Sequence, residues 1–209
     1  MLHTLRGISS PRNDREPSDP VLRSMFEARK AVFVDLLNWD VSVLGGRYEA
    51  DQFDDIHATY LVVSDPNNCH LASARLLPTT RPHILGSLYS TLCDEPPPQR
   101  PDVLEITRFC LDRRLRATER RAARDALVRQ IVTFALENDI TAYTAVAEMA
   151  WFKQILAFGW CCRPLGIPQR RDGQVLAALL ISIDQETPSR LAAAGIGDAG
   201  YAPALSAAA

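Results

Sequence analysis

No run of the chain approaches the roughly 18 apolar residues that a bilayer span requires. The N-terminus also lacks a basic-then-apolar leader pattern, so the protein is expected in the cytoplasm. Net charge is nearly absent: 23 Lys and Arg against 25 Asp and Glu leave −2. That balance excludes a general nucleic-acid or membrane-surface binder. The five cysteines include no C-x-x-C pair, and none of the four histidines lies at ligand spacing from them. A zinc site is thereby excluded, and the cysteines read as reduced thiols. No Ser/His/Asp or Cys/His set stands out, and no internal repeat is present.

What is there is an ordinary globular composition, with 209 residues, 47% hydrophobic and 23% charged. This length supports one core and one domain spanning residues 1–209. Residues 1–18 are polar with two prolines and are expected to be mobile. The alanine-rich stretch from about 188 to 209 is expected to be a loose tail with at most a short helix.

Between these ends the pattern alternates. Asp19 is a good N-cap and Pro20 suits the first helical position. From there Leu22, Met25, Phe26, Val32, Phe33 and Leu36 recur at helical spacing. Residues 38–57 lack periodicity and read as a loop carrying Trp39, Asp51, Asp54 and Asp55. A hairpin is predicted from strands at about 58–64 and 69–77 around Asp65-Pro66-Asn67-Asn68. The proline-rich stretch 78–102 leaves room for one short helix near 85–92. A strand at 104–111, a helix from a Thr118 cap to about 138, a strand at 141–146 and a helix at 148–158 come next. Short and long strands at 160–165 and 174–183 complete the pattern.

Several charges sit in apolar company. Arg29 falls on the apolar stripe of the first helix, and Arg75 lies among Ala74, Leu76 and Leu77. The strand Leu104-Glu105-Ile106-Thr107-Arg108-Phe109-Cys110-Leu111 carries both a carboxylate and a guanidinium. Burying either without a partner costs several kcal/mol, so each must meet an opposite charge, a polar ligand or the other. Regular alternation sets Glu105 and Arg108 on opposite faces. Either they work there, or a β-bulge turns one of them toward a shared site, as is common beside active sites. A buried ion pair that merely holds a loop explains the same residues.

The order of elements gives an α/β protein, a single mixed twisted sheet flanked by helices, and suits the N-acyltransferase (GNAT-like) fold. Such enzymes usually carry a glycine-rich loop ahead of the helix that follows the central strand, where backbone N–H groups hold a pyrophosphate. Here that junction is Asp112-Arg113-Arg114-Leu115-Arg116-Ala117-Thr118, without glycine. A plain acetyl-CoA enzyme is disfavoured. Seven arginines between 113 and 129 give the next helix a basic opening that could steer an acidic partner or a phosphate.

Arg29-x-x-x-Phe33 with Trp39, Asp51-x-x-Asp54, Arg75, and Glu105-x-x-Arg108 together resemble the signature of acyl-homoserine-lactone synthases, the autoinducer synthases of bacterial quorum sensing. The likeness runs over about residues 22–165. It implies a transfer of a fatty acyl group from acyl carrier protein or CoA to S-adenosylmethionine, which is a substrate, with no cofactor and no metal. By this resemblance Glu105 is the catalytic base, and Arg29, Phe33, Trp39, Asp51, Asp54 and Arg108 enclose S-adenosylmethionine. Arg75 supports the site or the donor. Thr144, Val146 and Met149 match acyl-pocket positions, and Lys153, Arg170 and Arg124 would dock the carrier. Ala157 stands where a basic residue is expected. Two other readings fit the residues: an N-acyltransferase acting on a different amine, and a non-catalytic module that binds acyl carrier protein.

Overall fold

The computed structural model describes residues 1–7, 17–171 and 173–197. In chain order the elements are β1 (Leu2–Arg6), α1 (Pro20–Arg29), β2 (Val43–Leu44), β3 (Tyr48–Glu49), β4 (Thr59–Ser64), β5 (His70–Pro78), α2 (Ile84–Leu88) and β6 (Val103–Leu111). Then come α3 (Ala117–Glu137), β7 (Ala142–Glu148), α4 (Met149–Leu156), β8 (Cys161–Pro164), β9 (Gln169–Arg171), β10 (Gln174–Ser182) and α5 (Thr187–Ala193). Eight strands form one mixed sheet in the order β1-β4-β5-β6-β7-β10-β8, with β9 on β10, while β2 and β3 make a separate small hairpin.

The sheet's central step is the parallel pair β6–β7. Its pairing covers only Val103–Glu105 against Ala142–Thr144, although β6 continues to Leu111 and β7 to Glu148. The strands therefore part just beyond Glu105 and Thr144, which opens the sheet at its middle. Helix α3 covers one face, where Leu127, Ile131 and Ala135 pack with Leu61, Val63, Leu76 and Ile106. On the other face α1 sets Leu22, Met25 and Phe26 against Tyr60, Val62 and Leu77. A smaller apolar cluster of Leu85, Leu92 and Ala178 lies under α2.

Local chemistry explains these elements. Asp19 Oδ1 accepts from Val21 N at 2.7 Å and Leu22 N at 3.2 Å, and Pro20 fills the first position of α1, as the sequence predicts. After Arg29 the helix widens into a π turn, Lys30–Val34. The extra residue shifts the following side chains around the axis, so Phe33 stays buried while Leu36 is 54% exposed, against its expected place on the stripe.

Four expectations need correction. Residues 2–6 are a paired edge strand, in register from Leu2 opposite Val63 to Arg6 opposite Thr59. Their half-polar alternation resembles an unstructured tail but is what an edge strand with one wet face requires. Gly7 ends it where any side chain would strike the Asp55 carbonyl. The C-terminal stretch is anchored rather than loose as far as Ile196, since α5 buries Thr187 and Leu191, and Ile196 is buried beyond it. The cap of α3 is Arg116, whose N–H donates to Glu119 Oε2 at 2.9 Å, instead of Thr118. The 38–57 loop contains the β2–β3 hairpin. The expected mobility of residues 8–16 and of 198–209 lies outside the described residues.

Candidate active site

The strand that carries Glu105 and Arg108 is bulged. Against β5 its register runs Leu77–Glu105, Leu76–Ile106, Arg75–Thr107 and then Ser73–Cys110, so β6 uses one more residue than its partner. Arg108 takes a φ of 50°, the left-handed region. A non-glycine residue held there costs on the order of 1–3 kcal/mol and persists only where surroundings fix it. Thr107 and Arg108 consequently reach the same side. Thr107 Oγ1 accepts from Arg75 Nε at 3.0 Å, and Arg108 Nε and Nη2 donate to Glu49 at 3.0 Å and Asp51 at 2.7 Å. Phe109 turns to the other face, its ring 5.0 Å from that of Trp151.

Three arginines and three carboxylates interlock beside the bulge. Arg29 donates to Glu49 at 2.5 Å and to both oxygens of Asp54 at 2.8 Å. Arg75 donates to Asp51 at 2.6 and 3.0 Å and lies 2.8 Å from Asp54. Tyr60 adds its hydroxyl to Asp54 at 2.8 Å. Burial alone would raise the Asp54 pKa, but Arg29 and Arg75 overcome it and hold the carboxyl far below the usual range. The same carboxylates hold Arg29 and Arg75 charged despite their burial. Arg29, Asp54 and Glu49 are essentially sealed, at 1%, 0% and 0% exposure, whereas Arg108 and Asp51 keep about a tenth of their side chains open. The set is neutral overall, and only its Arg108–Asp51 edge faces outward.

Beside that edge stands an aromatic wall. Trp39 N–H donates to the Phe33 carbonyl at 2.8 Å, which folds the chain back after the π turn. The two rings stack at 4.7 Å and 18°. The Arg108 guanidinium lies over both, 5.5 Å from Phe33 and 5.7 Å from Trp39.

Glu105 meets neither Arg75 nor Arg108 directly. Its oxygens accept from Ile84 N and Leu85 N, each at 2.7 Å, at the start of α2. Burial pushes its pKa up to about 7, although the two N–H groups and the nearby arginines pull it down. A carboxyl poised near neutrality where two strands part is suited to taking a proton.

The remaining predicted residues separate. Thr144 stands opposite Glu105 in register and is fully buried, and Val146 packs on the Leu85–Leu92–Ala178 cluster. Met149 opens α4 half-buried and is not among the side chains packed on that cluster. Lys153 and Arg170 are exposed. Arg124 is partly buried, its guanidinium held by Asp125 at 2.6 Å and lying 5.3 Å over the Phe158 ring. Glu49, Tyr60 and Thr107 are parts of the site that the sequence did not reveal. Glu49 precedes Asp51 by two residues in β3, and that spacing was the available signal.

A mixed sheet parted at a central parallel pair, flanked by helices and bearing a buried carboxyl beside the parting, is the layout of the N-acyltransferase fold. The autoinducer synthase family model matches residues 13–191. An acyl-homoserine-lactone synthase of Ralstonia nicotianae is 31% identical over 182 residues, 84% of this chain and 87% of that one. Another from Rhizobium etli is 32% identical over 158 residues, 74% of each chain. Two solved structures share the fold. One is a CoA-dependent acyl-homoserine lactone synthase, BjaI, with SAM and isopentyl-CoA, with a TM-score of 0.79, 24% identity and coverage of 93% of this chain and 87% of that one. The other, the CoA-dependent synthase MesI, has a TM-score of 0.78, 25% identity and coverage of 96% and 100%. The chain belongs to the autoinducer synthase family, acyltransferases that form acyl-homoserine lactones, with S-adenosylmethionine as a substrate rather than a cofactor. Among the described residues no helix is long and apolar enough to cross a membrane.

Proposed function

We propose that this chain makes an N-acyl-homoserine lactone signal from S-adenosylmethionine and a fatty acyl thioester carried by acyl carrier protein or CoA, releasing methylthioadenosine. The observation that carries the mechanism is Glu105, fully buried, with a pKa of about 7, at the point where β6 and β7 part. In its ionised form it takes a proton from the methionyl ammonium, directly or through a water, and the amine attacks the thioester carbonyl. Such general-base assistance is worth about 10²–10⁴ in rate. The substrate carboxylate then attacks its own γ-carbon, breaking the bond to sulfur and closing the lactone, which requires mainly a held conformation.

Phe33, Trp39, Arg108 and Asp51 form the S-adenosylmethionine contact surface in this reading. Arg108 suits the substrate carboxylate, while Trp39 and Asp51 suit its ammonium and sulfonium. Arg29, Glu49, Asp54 and Arg75 lie behind them and hold Arg108 and Asp51 in place. Thr144 and Val146 line the acyl chain. Exposed Arg113, Arg114, Arg116, Arg120 and Arg121 at the start of α3, with Lys153 and Arg170, offer an acidic carrier a basic approach.

The test is to incubate the protein with S-adenosylmethionine and a panel of acyl-carrier-protein and acyl-CoA thioesters, following products by mass spectrometry. Lactone matched by methylthioadenosine supports the reading. Acyl amide without methylthioadenosine would replace it with an acyltransferase for another amine, and binding without any product would leave only a carrier-binding module.

A further inference from the structure

A second titratable side chain lies beside Glu105 and is used by nothing described so far. His83 immediately precedes the two residues whose N–H groups hold the Glu105 carboxylate, and it is 1% exposed. Its Nδ1 is 2.8 Å from the Arg81 carbonyl. A carbonyl only accepts, so Nδ1 carries the hydrogen, and in the neutral ring Nε2 is left as a bare lone pair. Among the described residues no donor reaches that atom.

An unpartnered buried acceptor costs about 1–3 kcal/mol, so a fold that keeps one needs an occupant to answer it. Gly86 makes the ring's place possible, because a side chain there would come within 2.7 Å of Cε1 and 3.0 Å of Nε2. Thr144 Oγ1, on the strand opposite Glu105, is likewise buried without a partner. Two orphaned polar atoms thus sit on the segments around one carboxylate, His83 just ahead of the N–H groups that hold Glu105 and Thr144 opposite it in register, and α2 touches both parting strands.

We propose that His83 belongs to the acyl-transfer site, its Nε2 accepting a hydrogen bond from the amino group of S-adenosylmethionine that Glu105 deprotonates. A bare imidazole nitrogen can meet only a donor, which excludes the thioester carbonyl and the substrate carboxylate. The amino group is the donor that the reaction must bring to Glu105. Once a proton has passed to Glu105 the new lone pair points toward that carboxyl, and the amine, still held by one N–H on His83, turns about that hydrogen bond to bring the lone pair to the acyl carbon. This assignment rests on the synthase reading above.

Two substitutions separate the two ring nitrogens. His83→Asn keeps a donor where Nδ1 meets Arg81 but has nothing at Nε2, whereas His83→Gln places an amide oxygen near the Nε2 position. The expected result is a loss of about tenfold or more in kcat/KM for S-adenosylmethionine with His83→Asn, matched by weaker S-adenosylmethionine binding without donor and an unchanged Tm. His83→Gln should restore most of that loss. Normal kinetics in His83→Asn, or a defect in His83→Gln alone, would overturn the proposal and leave His83 as a brace for the Arg81 turn.

If His83→Asn does not fold, the wild-type chain decides. The ¹⁵N resonance of His83 Nε2 must move when S-adenosylmethionine is added, and an unmoved resonance overturns the assignment. A wild-type enzyme that yields no lactone would instead count against the synthase reading.

Discussion

At the scale of one residue, Asp54 is the carboxylate most tightly held by its neighbours: two arginines and a tyrosine already use its oxygens, which favours a supporting role over substrate contact. Removing one partner of such a buried set leaves charges uncompensated, which costs about 3–5 kcal/mol. Asp54→Ala is therefore expected to lower the Tm sharply and abolish activity by unfolding. Trp39→Ala, by contrast, should raise KM for S-adenosylmethionine while Tm stays near wild type. Thermal melts beside steady-state kinetics check both, and a stable but inactive Asp54→Ala would return Asp54 to the substrate.

Glu105 gives a pH prediction at the same scale. Its folded pKa of about 7 is raised above the ordinary 4.5, so the folded state binds the proton more tightly than the unfolded chain. The resulting stabilisation is complete below about pH 4.5 and is lost as pH rises through about 7. Catalysis needs the ionised form and should rise over the same range. Opposed slopes of Tm and kcat/KM between about pH 5 and 7 are expected in the wild type. Glu105→Gln should lose the acid limb of activity. It should also melt earlier, because its NH₂ would face the N–H of Ile84 or Leu85. A wild-type kcat/KM that is flat across this range would contradict the base assignment.

The bulge in β6 is the decisive feature among the elements. Alternation alone left two arrangements open for Glu105 and Arg108, and the left-handed Arg108 selects the one that brings Arg108 beside Thr107. The sequence could not choose, because the deciding partners, Glu49 and Asp51, lie more than 50 residues away. The π turn after α1 was hidden for a related reason. Periodicity assumed an unbroken helix through Leu36, while the turn that sets Phe33 against Trp39 is fixed by tertiary contacts. Arg108→Gly relieves the backbone strain but removes the guanidinium. It is expected to keep the unfolding free energy within about 1–3 kcal/mol of the wild-type value while losing most activity. Retained activity would make the bulge, rather than the charge, the functional element.

The whole molecule was more legible than its parts. The order of helices and strands and the α/β class followed from periodicity, caps and turn residues. The segments read as loose lie at the edges: β1, whose half-polar alternation is hard to tell from a tail, and α5, whose few apolar anchors lie among alanines. Arg29, Asp51, Asp54, Arg75 and Arg108 were grouped at the level of sequence only through the resemblance to acyl-homoserine-lactone synthases; the cost of burying a charge said that Arg29, Arg75 and Arg108 each need a partner without naming it. Their division into a sealed support and an open edge needed the fold.

Both donor types remain candidates at this scale, and their charge separates them. A carrier protein that docks on the α3 arginines should lose affinity steeply with salt, and charge reversal at Arg120 and Arg121 should raise its KM with little effect on an acyl-CoA. Equal effects on both donors would move the docking surface elsewhere.

The most direct test of the account is a single-turnover experiment on the purified chain with S-adenosylmethionine and its preferred thioester, quantifying acyl-homoserine lactone and methylthioadenosine together. Equal amounts of the two are expected from the wild type, and formation of both slowed by about 10²–10⁴ in Glu105→Gln protein that remains folded. Methylthioadenosine without lactone, or undiminished lactone from Glu105→Gln, would contradict it.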